Sequence, residues 1–373
     1  MKTFPRHPPR LSAGSVLITT LLVAVLLGTV LASYLLMVRG QNVSVARSQA
    51  WHAALAVAEA GIEEALAQLN PGFPLTTNVP TGRGWRLEDG VYRPDPPERE
   101  LLGGRYTVSY TPGPAPTITA TGYVSLPISS TTIARVIRVQ TTNAALYQLP
   151  LTAQKLEKAS TRQFLTNSYN SANPQYVTPT NSGAGVAGSA GLPDVLPPFE
   201  TGWPLPAKVD GKYTLSLSGD YMIPGDLALG TNETIYVTTN RTAKLYVKGD
   251  VTMNSAAKLE LAPGGALQMF VGGDNATLGP IVNPGRATNF QYFGLPANTN
   301  ISLIGRTNSL VGTIYAPNAN LTTTTRATTY FDFFGALTVD TLTLRRNFRL
   351  HFDEDLINSG PRRGFVAISW REL

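Results

Sequence analysis

The first 70 residues divide into an apolar stretch and an amphipathic one. Residues 11–38 carry no charged side chain. Apolar residues then recur at steps of three and four, the spacing of one helix face. They are Trp51, Leu55, Ala58, Ile62, Ala65 and Leu69. Because Pro71 cannot continue a helix and disfavours helical backbone in the residue before it, the pattern predicts one continuous helix over residues 12–69.

The apolar stretch is long enough to cross a membrane. As a helix it would span about 42 Å, against a hydrocarbon core of about 30 Å. Lys2, Arg6 and Arg10 precede it, and the first acidic residue of the chain is Glu59. The N terminus is therefore expected in the cytoplasm, and the bulk of the chain is expected to be periplasmic or extracellular. A cleavable secretory signal is the alternative, although the apolar region of such signals is usually only about 7 to 15 residues long.

Between Trp85 and Gln148 the polar and apolar pattern changes to that of short strands. Segments rich in threonine, valine, isoleucine and tyrosine are separated by turn residues. They cover residues 105–110, 117–124 and 131–141. This pattern predicts a small antiparallel sheet, which would cover the apolar face of the helix.

A repeated pattern follows a segment rich in asparagine, serine, glycine and proline. A Gly-Asp pair recurs with a spacing of 24 residues, each time after a short apolar run. The three pairs are Gly225-Asp226, Gly249-Asp250 and Gly273-Asp274. Glycine gives the backbone freedom that a sharp corner needs, and aspartate can bond nearby backbone there. The fixed period favours a β-solenoid whose corners lie at these pairs, with a sandwich of ordinary hairpins as the competing fold. The predicted class is α+β.

Composition changes this picture in three respects. Charged residues are 14% of the chain, and its 34 glycines and 28 prolines indicate frequent turns, as expected of a β-rich exported protein. The chain has no cysteine, which excludes disulfides and thiol chemistry. The first 50 residues hold five of the 30 basic residues and no acid, so the remainder carries 25 basic against 24 acidic residues. This near-neutral remainder makes nucleic acid an improbable partner.

The N-terminal helix resembles the stem of type IV pilins and pseudopilins. The matching segments are Gly14-Ser15-Val16-Leu17-Ile18 and Ala58-Glu59-Ala60-Gly61, which are similar to minor-pilin-type pilus assembly proteins. The resemblance implies cleavage between Gly14 and Ser15 by a prepilin peptidase. At the fifth mature position, where pilins commonly have glutamate, this chain has Thr19. The residues assigned to stem packing are Trp51, Leu55, Ala58, Glu59, Gly61 and Ile62. A plain single-pass anchor is the alternative.

The repeat region resembles an uncharacterised bacterial domain that often follows pilin-like anchors. The resemblance covers roughly residues 145–357. Its matching segments are Asn167–Ser171, Leu245–Asp250, Ile314–Ala319 and His351–Leu356. It implies an architecture and an association with pilus or surface systems, and no known activity.

No catalytic or cofactor-binding set is recognisable in the sequence. None of the three histidines has a serine nucleophile or a metal-ligand partner at a diagnostic spacing. His351, Asp353 and Asp355 would share a face if they lay in a strand, which raises the hypothesis of a cation site. The aromatic residues of the repeat region are expected to fill the inside of the solenoid, with a carbohydrate groove as the alternative.

These observations predict five segments. They are a cytoplasmic leader at 1–14, a transmembrane and stem helix at 15–70, a pilin-like sheet at 85–148, a β-solenoid at 149–357 and a tail at 358–373. The expected function is that of a non-enzymatic, cofactor-free minor-pilin-like structural protein that contacts the membrane and other pilin-like subunits. The second hypothesis is a monomeric anchored module that binds or modifies envelope polysaccharide.

Overall fold

The computed structural model describes two compact units. Unit 1 comprises Met1–Ala65, Thr81–Thr141 and Ala367–Leu373, and unit 2 comprises Leu66–Pro80 and Thr142–Val366. For residues 13–16 and 186–187 only the backbone is described. The described residues are 13–70, 84–101, 103–127, 131–173, 186–187, 192–305, 307–324 and 330–373.

The N-terminal element is a single helix, α1, over Ala13–Leu69. Its 57 residues give a length of about 86 Å. From Leu17 to Gln49 nearly every side chain is exposed, whereas burial begins at Ala50. Among the described residues, Leu17–Leu69 is the one helix long and apolar enough to be a candidate membrane span. The predicted continuous helix is confirmed.

Unit 1 also contains most of the predicted antiparallel sheet. Its strands are β1 (Trp85–Glu88), β2 (Val91–Pro94), β3 (Glu98–Leu101), β4 (Gly104–Tyr110), β5 (Thr117–Ser125), β6 (Thr132–Ala145) and β26 (Arg362–Glu372). They lie in the order β1-β2-β4-β5-β6-β26, and β3 pairs with β4 beside this path. Alternate residues of β4, β5 and β6 are buried, which is the period expected when one face of a sheet is covered.

The C-terminal segment differs from its sequence-based assignment as a tail. A short helix, α2 (Leu356–Ser359), is followed by β26, which lies next to β6 in the sheet. The backbone N–H of Leu373 donates to the carbonyl oxygen of Val136 over 3.0 Å. The reason is that Val366, Ile368 and Trp370 alternate with smaller or polar residues, which is a strand pattern.

Unit 2 is a β-solenoid of about five turns. The ladders that build its coils pair in parallel, which excludes the competing sandwich of hairpins. The strands that precede the first full coil are β7 (Leu151–Thr152), β8 (Lys155–Lys158), β9 (Phe164–Tyr169) and β10 (Val186–Ala187).

Three kinds of strand alternate along each of the first coils. The first kind is β11 (Lys212–Leu215), β14 (Thr234–Val237), β17 (Lys258–Leu261) and β20 (Ile281–Val282). The second is β12 (Gly219–Ile223), β15 (Thr242–Val247), β18 (Ala266–Val271) and β21 (Phe290–Gly294). The third is β13 (Leu227–Leu229), β16 (Val251–Met253), β19 (Asn275–Leu278) and β22 (Asn300–Leu303). Three further strands complete the later coils: β23 (Ser309–Thr323), β24 (Phe331–Leu344) and β25 (Phe348–Asp353).

The coil period matches the sequence repeat. Tyr221 pairs with Leu245, and Leu245 pairs with Met269, which are steps of 24 residues. Gly312 pairs with Gly335 in a later coil, a step of 23. The repeat in the sequence is therefore the length of one coil.

The last coils are completed by strands from the beginning of unit 2. β8 pairs with β24, and β9 pairs with β25. At the opposite end, Trp203 forms a parallel bridge with Tyr221 in β12. The first strands of unit 2 thus lie beside the last coils of the solenoid. The chain then continues to the opposite end, where the first full coil begins, and the successive coils lead back to β24 and β25.

Two apolar clusters lie on opposite sides of the paired strands β15, β18, β21 and β23. Inward-facing residues such as Leu245, Met269 and Ile314 belong to the main core. The neighbouring aromatic residues on the other side form a separate cluster under the segment that contains Val195. They are Tyr246, Phe270, Phe293 and Tyr315. The expectation that the aromatic residues fill the inside is therefore correct for Tyr292, Phe331 and Phe333 and wrong for these four, because side chains alternate across a strand.

Candidate functional site

Small residues line the face of α1 that packs in unit 1. The buried residues are Ala50, Ala54, Val57, Ala58, Gly61, Ile62 and Ala65. A Cβ on Gly61 would come 2.9 Å from Cδ2 of Tyr106, and one on Gly122 would come 2.1 Å from the carbonyl oxygen of Ala54. At these two glycines, helix and sheet lie so close together that no side chain fits between them.

The predicted stem-packing residues divide accordingly. Ala58, Gly61 and Ile62 are buried, and Leu55 is half-buried. Glu59 is exposed, and Trp51 is 49% exposed. The assignment of Trp51, Leu55 and Glu59 to stem packing stays a prediction.

Trp51 covers a buried arginine of the sheet. The guanidinium carbon of Arg135 lies 4.0 Å from the centre of the indole ring, and the Arg135 side chain is only 8% exposed. Its ion-pair partner is Glu372 at the end of β26. Nε and Nη1 of Arg135 have no hydrogen-bond partner among the described residues. No sequence signal pointed to this cluster, because its members come from three distant segments.

The predicted processing site lies at the beginning of α1. The backbone of Gly14 and Ser15 is helical, and Thr19 is exposed one turn further on. Residues 1–12, which hold the basic residues of the predicted leader, lie outside the described residues. Cleavage and membrane orientation therefore stay predictions.

The three Gly-Asp pairs are stacked at one edge of the solenoid. The N–H of Gly249 donates to the carbonyl oxygen of Gly225, and the N–H of Gly273 donates to that of Gly249, both over 3.0 Å. Asp226 Oδ1 accepts from the N–H of Asp250 over 2.8 Å. Hydrogen bonds from the backbone and side chain of Asn275 lower the pKa of the Asp250 carboxyl.

An open cleft of about 580 Å³ lies on the last coils of the solenoid. We call it the terminal cleft. It is lined by Asn167, Tyr169, Ser171, Pro284, Gly285, Arg286, Phe334 and His351. Phe334, His351 and Asn167 are lateral neighbours on β24, β25 and β9. The parallel ladder thus places three chemically different side chains side by side.

The rings in the terminal cleft are fixed by stacking. The His351 imidazole lies 4.3 Å from the Phe334 ring at an interplanar angle of 14°. Tyr169 meets Phe334 edge-on, with ring centres 5.7 Å apart. Burial raises the pKa of the Tyr169 phenol, and the carboxylate of Asp353 raises it further.

Polar side chains contact both ring nitrogens of His351. Nε2 of His351 lies 2.9 Å from Oδ1 of Asp332, and Nδ1 lies 2.5 Å from Oδ1 of Asn167. Arg349 donates to both carboxylate oxygens of Asp332, over 2.6 and 2.8 Å. Burial opposes ionisation of Asp332, but the hydrogen bonds from Arg349 and His351 outweigh it and lower its pKa.

The hypothesis of a cation site at His351, Asp353 and Asp355 is wrong. Asp353 Oδ1 accepts from the backbone N–H of Ser171 over 3.0 Å. Asp355 is paired with Arg286 over 3.2 Å, beyond the end of β25. The three side chains therefore have separate partners. Among the described residues, no group of three or more histidine or acidic side chains is arranged to hold a metal ion.

Sequence reasoning found His351 and missed its neighbours in the terminal cleft. Phe334 precedes His351 by one strand of the solenoid, Arg286 lies several strands earlier, and Asn167 is 184 residues away. A solenoid model with the correct register would have placed Phe334 beside His351. No sequence signal showed that β9 joins the last coil.

These features define a protein with a candidate membrane-spanning helix, an antiparallel sheet and a parallel β-solenoid. Residues 202–359 match the family model described as "Domain of unknown function (DUF7305)". This range contains the solenoid from β11 to β25 and lies almost wholly inside the stretch assigned above to an uncharacterised domain. No curated protein matches the chain in sequence.

Among solved structures, the chain is similar to the crystal structure of the competence-associated pilin ComZ from Thermus thermophilus. The sequence identity is 10%, and the alignment covers 87% of this chain and 98% of that one, with a TM-score of 0.19. At this TM-score the likeness carries no conclusion about the present protein.

Proposed function

We propose that this protein is a membrane-anchored structural subunit of minor-pilin type, in a type IV pilus or a related surface or secretion assembly. The observation that carries the proposal is the dual character of α1. Its first half is apolar and exposed, and its second half forms part of the core of unit 1 through Ala54, Ala58 and Ile62. A helix of this kind can pack in a membrane or among other stems while it holds a folded sheet.

The exposed first half requires a nonaqueous neighbour. Large apolar side chains between Leu17 and Met37 are 49–70% exposed. Burial of one such side chain is worth about 1.5–3 kcal/mol, so their joint exposure to water would be strongly unfavourable. Lipid, or the equivalent halves of neighbouring stems, would cover them.

The rigid connection favours a subunit over a tether. A simple tether needs no contact with the domain that it anchors, whereas a Cβ at Gly122 would collide with the backbone of the helix. The stem and the sheet therefore behave as one body. In an assembly, the position of each stem would set the position of its sheet. We propose a structural role without catalysis or cofactor.

N-terminal sequencing of the protein from its native membrane tests the proposal. We expect a mature chain that begins at Ser15 and an uncleaved chain in the variant Gly14→Val. The control is Gly28→Val, which lies in the same apolar half with nothing within 4 Å of its position. An intact Met1 in the unchanged protein would contradict the pilin-type route and favour a single-pass anchor.

Photo-crosslinking tests the predicted contacts between stems. A benzoylphenylalanine at Val25, which is 58% exposed, should join the chain to a second copy or to another stem-bearing subunit in intact membranes. The control position is the exposed Glu88 on β1. Mass spectrometry of the products identifies the partner. Crosslinks to lipid alone at Val25 would contradict assembly through the stem.

A further inference from the structure

We propose that the terminal cleft binds a neutral saccharide, with one pyranose ring against Phe334, Tyr169 and His351 and its hydroxyl groups bonded to Asn167, Ser171 and Arg286. This site goes beyond the proposed structural role and does not depend on it. A stem-anchored subunit could carry such a site whether or not it enters a filament.

The size and ring content of the terminal cleft suit a small amphipathic ligand. Its volume of about 580 Å³ lies within the range of roughly 300–1,000 Å³ found for small-molecule sites. The aromatic rings offer apolar surface in fixed orientations. One face of a pyranose is a patch of C–H bonds, which can bury itself against such surface while the hydroxyl groups point outward.

Unused hydrogen-bonding groups border this apolar surface. Ser171 Oγ is buried and has no hydrogen-bond partner among the described residues. Asn167 contacts His351 through one end of its carboxamide group and also lines the cleft. Arg286 uses Nη1 for Asp355 and has further N–H groups to donate. An unpartnered buried polar atom is costly, and a ligand hydroxyl would satisfy it.

The charges around the terminal cleft favour a ligand without net charge. Arg286 is paired with Asp355, Asp332 is paired with Arg349 and contacts His351, and Asp353 accepts from the backbone N–H groups of Ser171 and Asp355. An anionic ligand would meet these carboxylates, and a cationic one would meet Arg286. Hydroxyl groups both donate and accept hydrogen bonds, so they match a lining of neutral amide, hydroxyl and already paired charged groups.

The residues that line the terminal cleft are fixed in position by paired strands and by a hydrogen-bonded turn. Phe334, His351 and Asn167 lie on paired strands. The turn that carries Arg286 is fixed by Asn283, whose Nδ2 donates to the carbonyl oxygens of Arg286 and Val311 over 2.9 and 3.0 Å. A site of this kind loses little conformational freedom when a ligand binds.

Isothermal titration calorimetry of the full chain tests the proposal. The protein is kept in lauryldimethylamine oxide, because this detergent has no sugar headgroup that could occupy the cleft. The probes are cellotetraose, maltotetraose and tetra-N-acetylchitotetraose, with tetragalacturonate as the anionic comparison. We expect saturable binding of at least one neutral tetrasaccharide and weaker or absent binding of the anionic one.

Two variants assign the binding to the terminal cleft. Phe334→Leu should weaken it at least about tenfold by removing the ring, and Ser171→Ala should weaken it about threefold to tenfold. Ser171→Ala removes an atom that contributes no bond to the fold, so it remains informative if Phe334→Leu unfolds the protein. The control Tyr236→Leu removes an aromatic ring on β14, outside the cleft, and should leave binding unchanged.

Three results would overturn the proposal. They are no heat of binding for any neutral probe, tighter binding of tetragalacturonate, and equal binding by the unchanged protein and Ser171→Ala. Each of these would leave the N-terminal sequencing result unaffected, so failure of this site is distinguishable from failure of the proposed structural function.

Discussion

Gly122 in β5 lies directly against the backbone of Ala54 in α1. A Cβ at Gly122 would come 2.1 Å from the carbonyl oxygen of Ala54 and 2.6 Å from the nitrogen of Ala58. Backbone atoms cannot move away as a flexible side chain can. The absence of a side chain at one position of the sheet therefore sets the distance between the sheet and the stem helix.

The first prediction concerns this contact. Gly122→Ala should destabilise unit 1 by about 1–3 kcal/mol, because the added methyl group forces the helix and the sheet apart. Hydrogen exchange followed by mass spectrometry should show faster exchange in β5 and in residues 50–65. The control is Gly40→Ala, since nothing lies within 4 Å of that exposed position. Equal exchange in the two variants would contradict the close approach.

The second prediction separates the stacked glycines of the solenoid. A Cβ at Gly249 would meet Asp226 Oδ1 at 2.1 Å, and one at Gly273 would meet the carbonyl carbon of Gly249 at 2.3 Å. Nothing lies within 4 Å of the same position on Gly225. Gly249→Ala and Gly273→Ala should therefore each lower the free energy of unfolding by about 1–3 kcal/mol, and Gly225→Ala should change it little.

Gly225 is the matched control because it occupies the first position of the same stack. Chemical denaturation followed by circular dichroism measures the three variants against the unchanged chain. If all three substitutions cost the same, the requirement for glycine would come from backbone conformation rather than from the preceding coil. None of the three has a positive φ angle, so backbone strain does not predict such a result.

Periodic features of the fold were predictable from the sequence. The spacing of apolar residues indicated the helix, and the step between Gly225 and Gly249 gave the length of a coil. Both depend on residues that are near each other along the chain. The face of α1 that packs was only partly predictable, because the close contacts at Ala54 and Gly61 are made by sheet residues that are distant in sequence.

Features that join distant segments were not predictable. β9 pairs with β25 in the last coil, so Asn167 meets His351 across 184 residues. The terminal cleft depends on this pairing, since Tyr169 and Ser171 follow Asn167 on the same segment. Likewise, the strand pattern around Arg135 does not indicate that its side chain is buried. Its burial follows only from the positions of Trp51 and Glu372.

The third prediction concerns the pH dependence of unit 2. The pKa of Asp332 is lower in the folded protein, so its ionisation stabilises the fold above the unfolded pKa of about 4. This stabilisation is lost as the pH falls through the folded value. Asp332→Asn should therefore cost about 1–3 kcal/mol at pH 7, and the difference from the unchanged protein should shrink below about pH 4.

Denaturant titrations at several pH values check this prediction. The control is Asp340→Asn in the same strand, where the carboxylate accepts a hydrogen bond from the neighbouring Thr341 and forms no ion pair among those described. A difference between Asp332→Asn and the unchanged protein that stays constant from pH 7 to pH 3 would show that shape rather than ionisation of Asp332 stabilises the coil.

The fourth prediction tests the buried charge of unit 1. Glu372→Gln should destabilise β26 and β6, because Arg135 would keep its charge in a largely buried position without a carboxylate. Glu372 is 42% exposed, so water can replace part of the interaction, and we expect a loss of about 1–3 kcal/mol. Hydrogen exchange of the two strands measures the effect.

The control is Arg371→Gln, the exposed neighbour in β26. Since exposed charges are screened by salt, the cost should fall when ionic strength rises to about 1 M. An equal loss in both variants would assign the effect to fraying of the chain end and would contradict a specific role of Glu372.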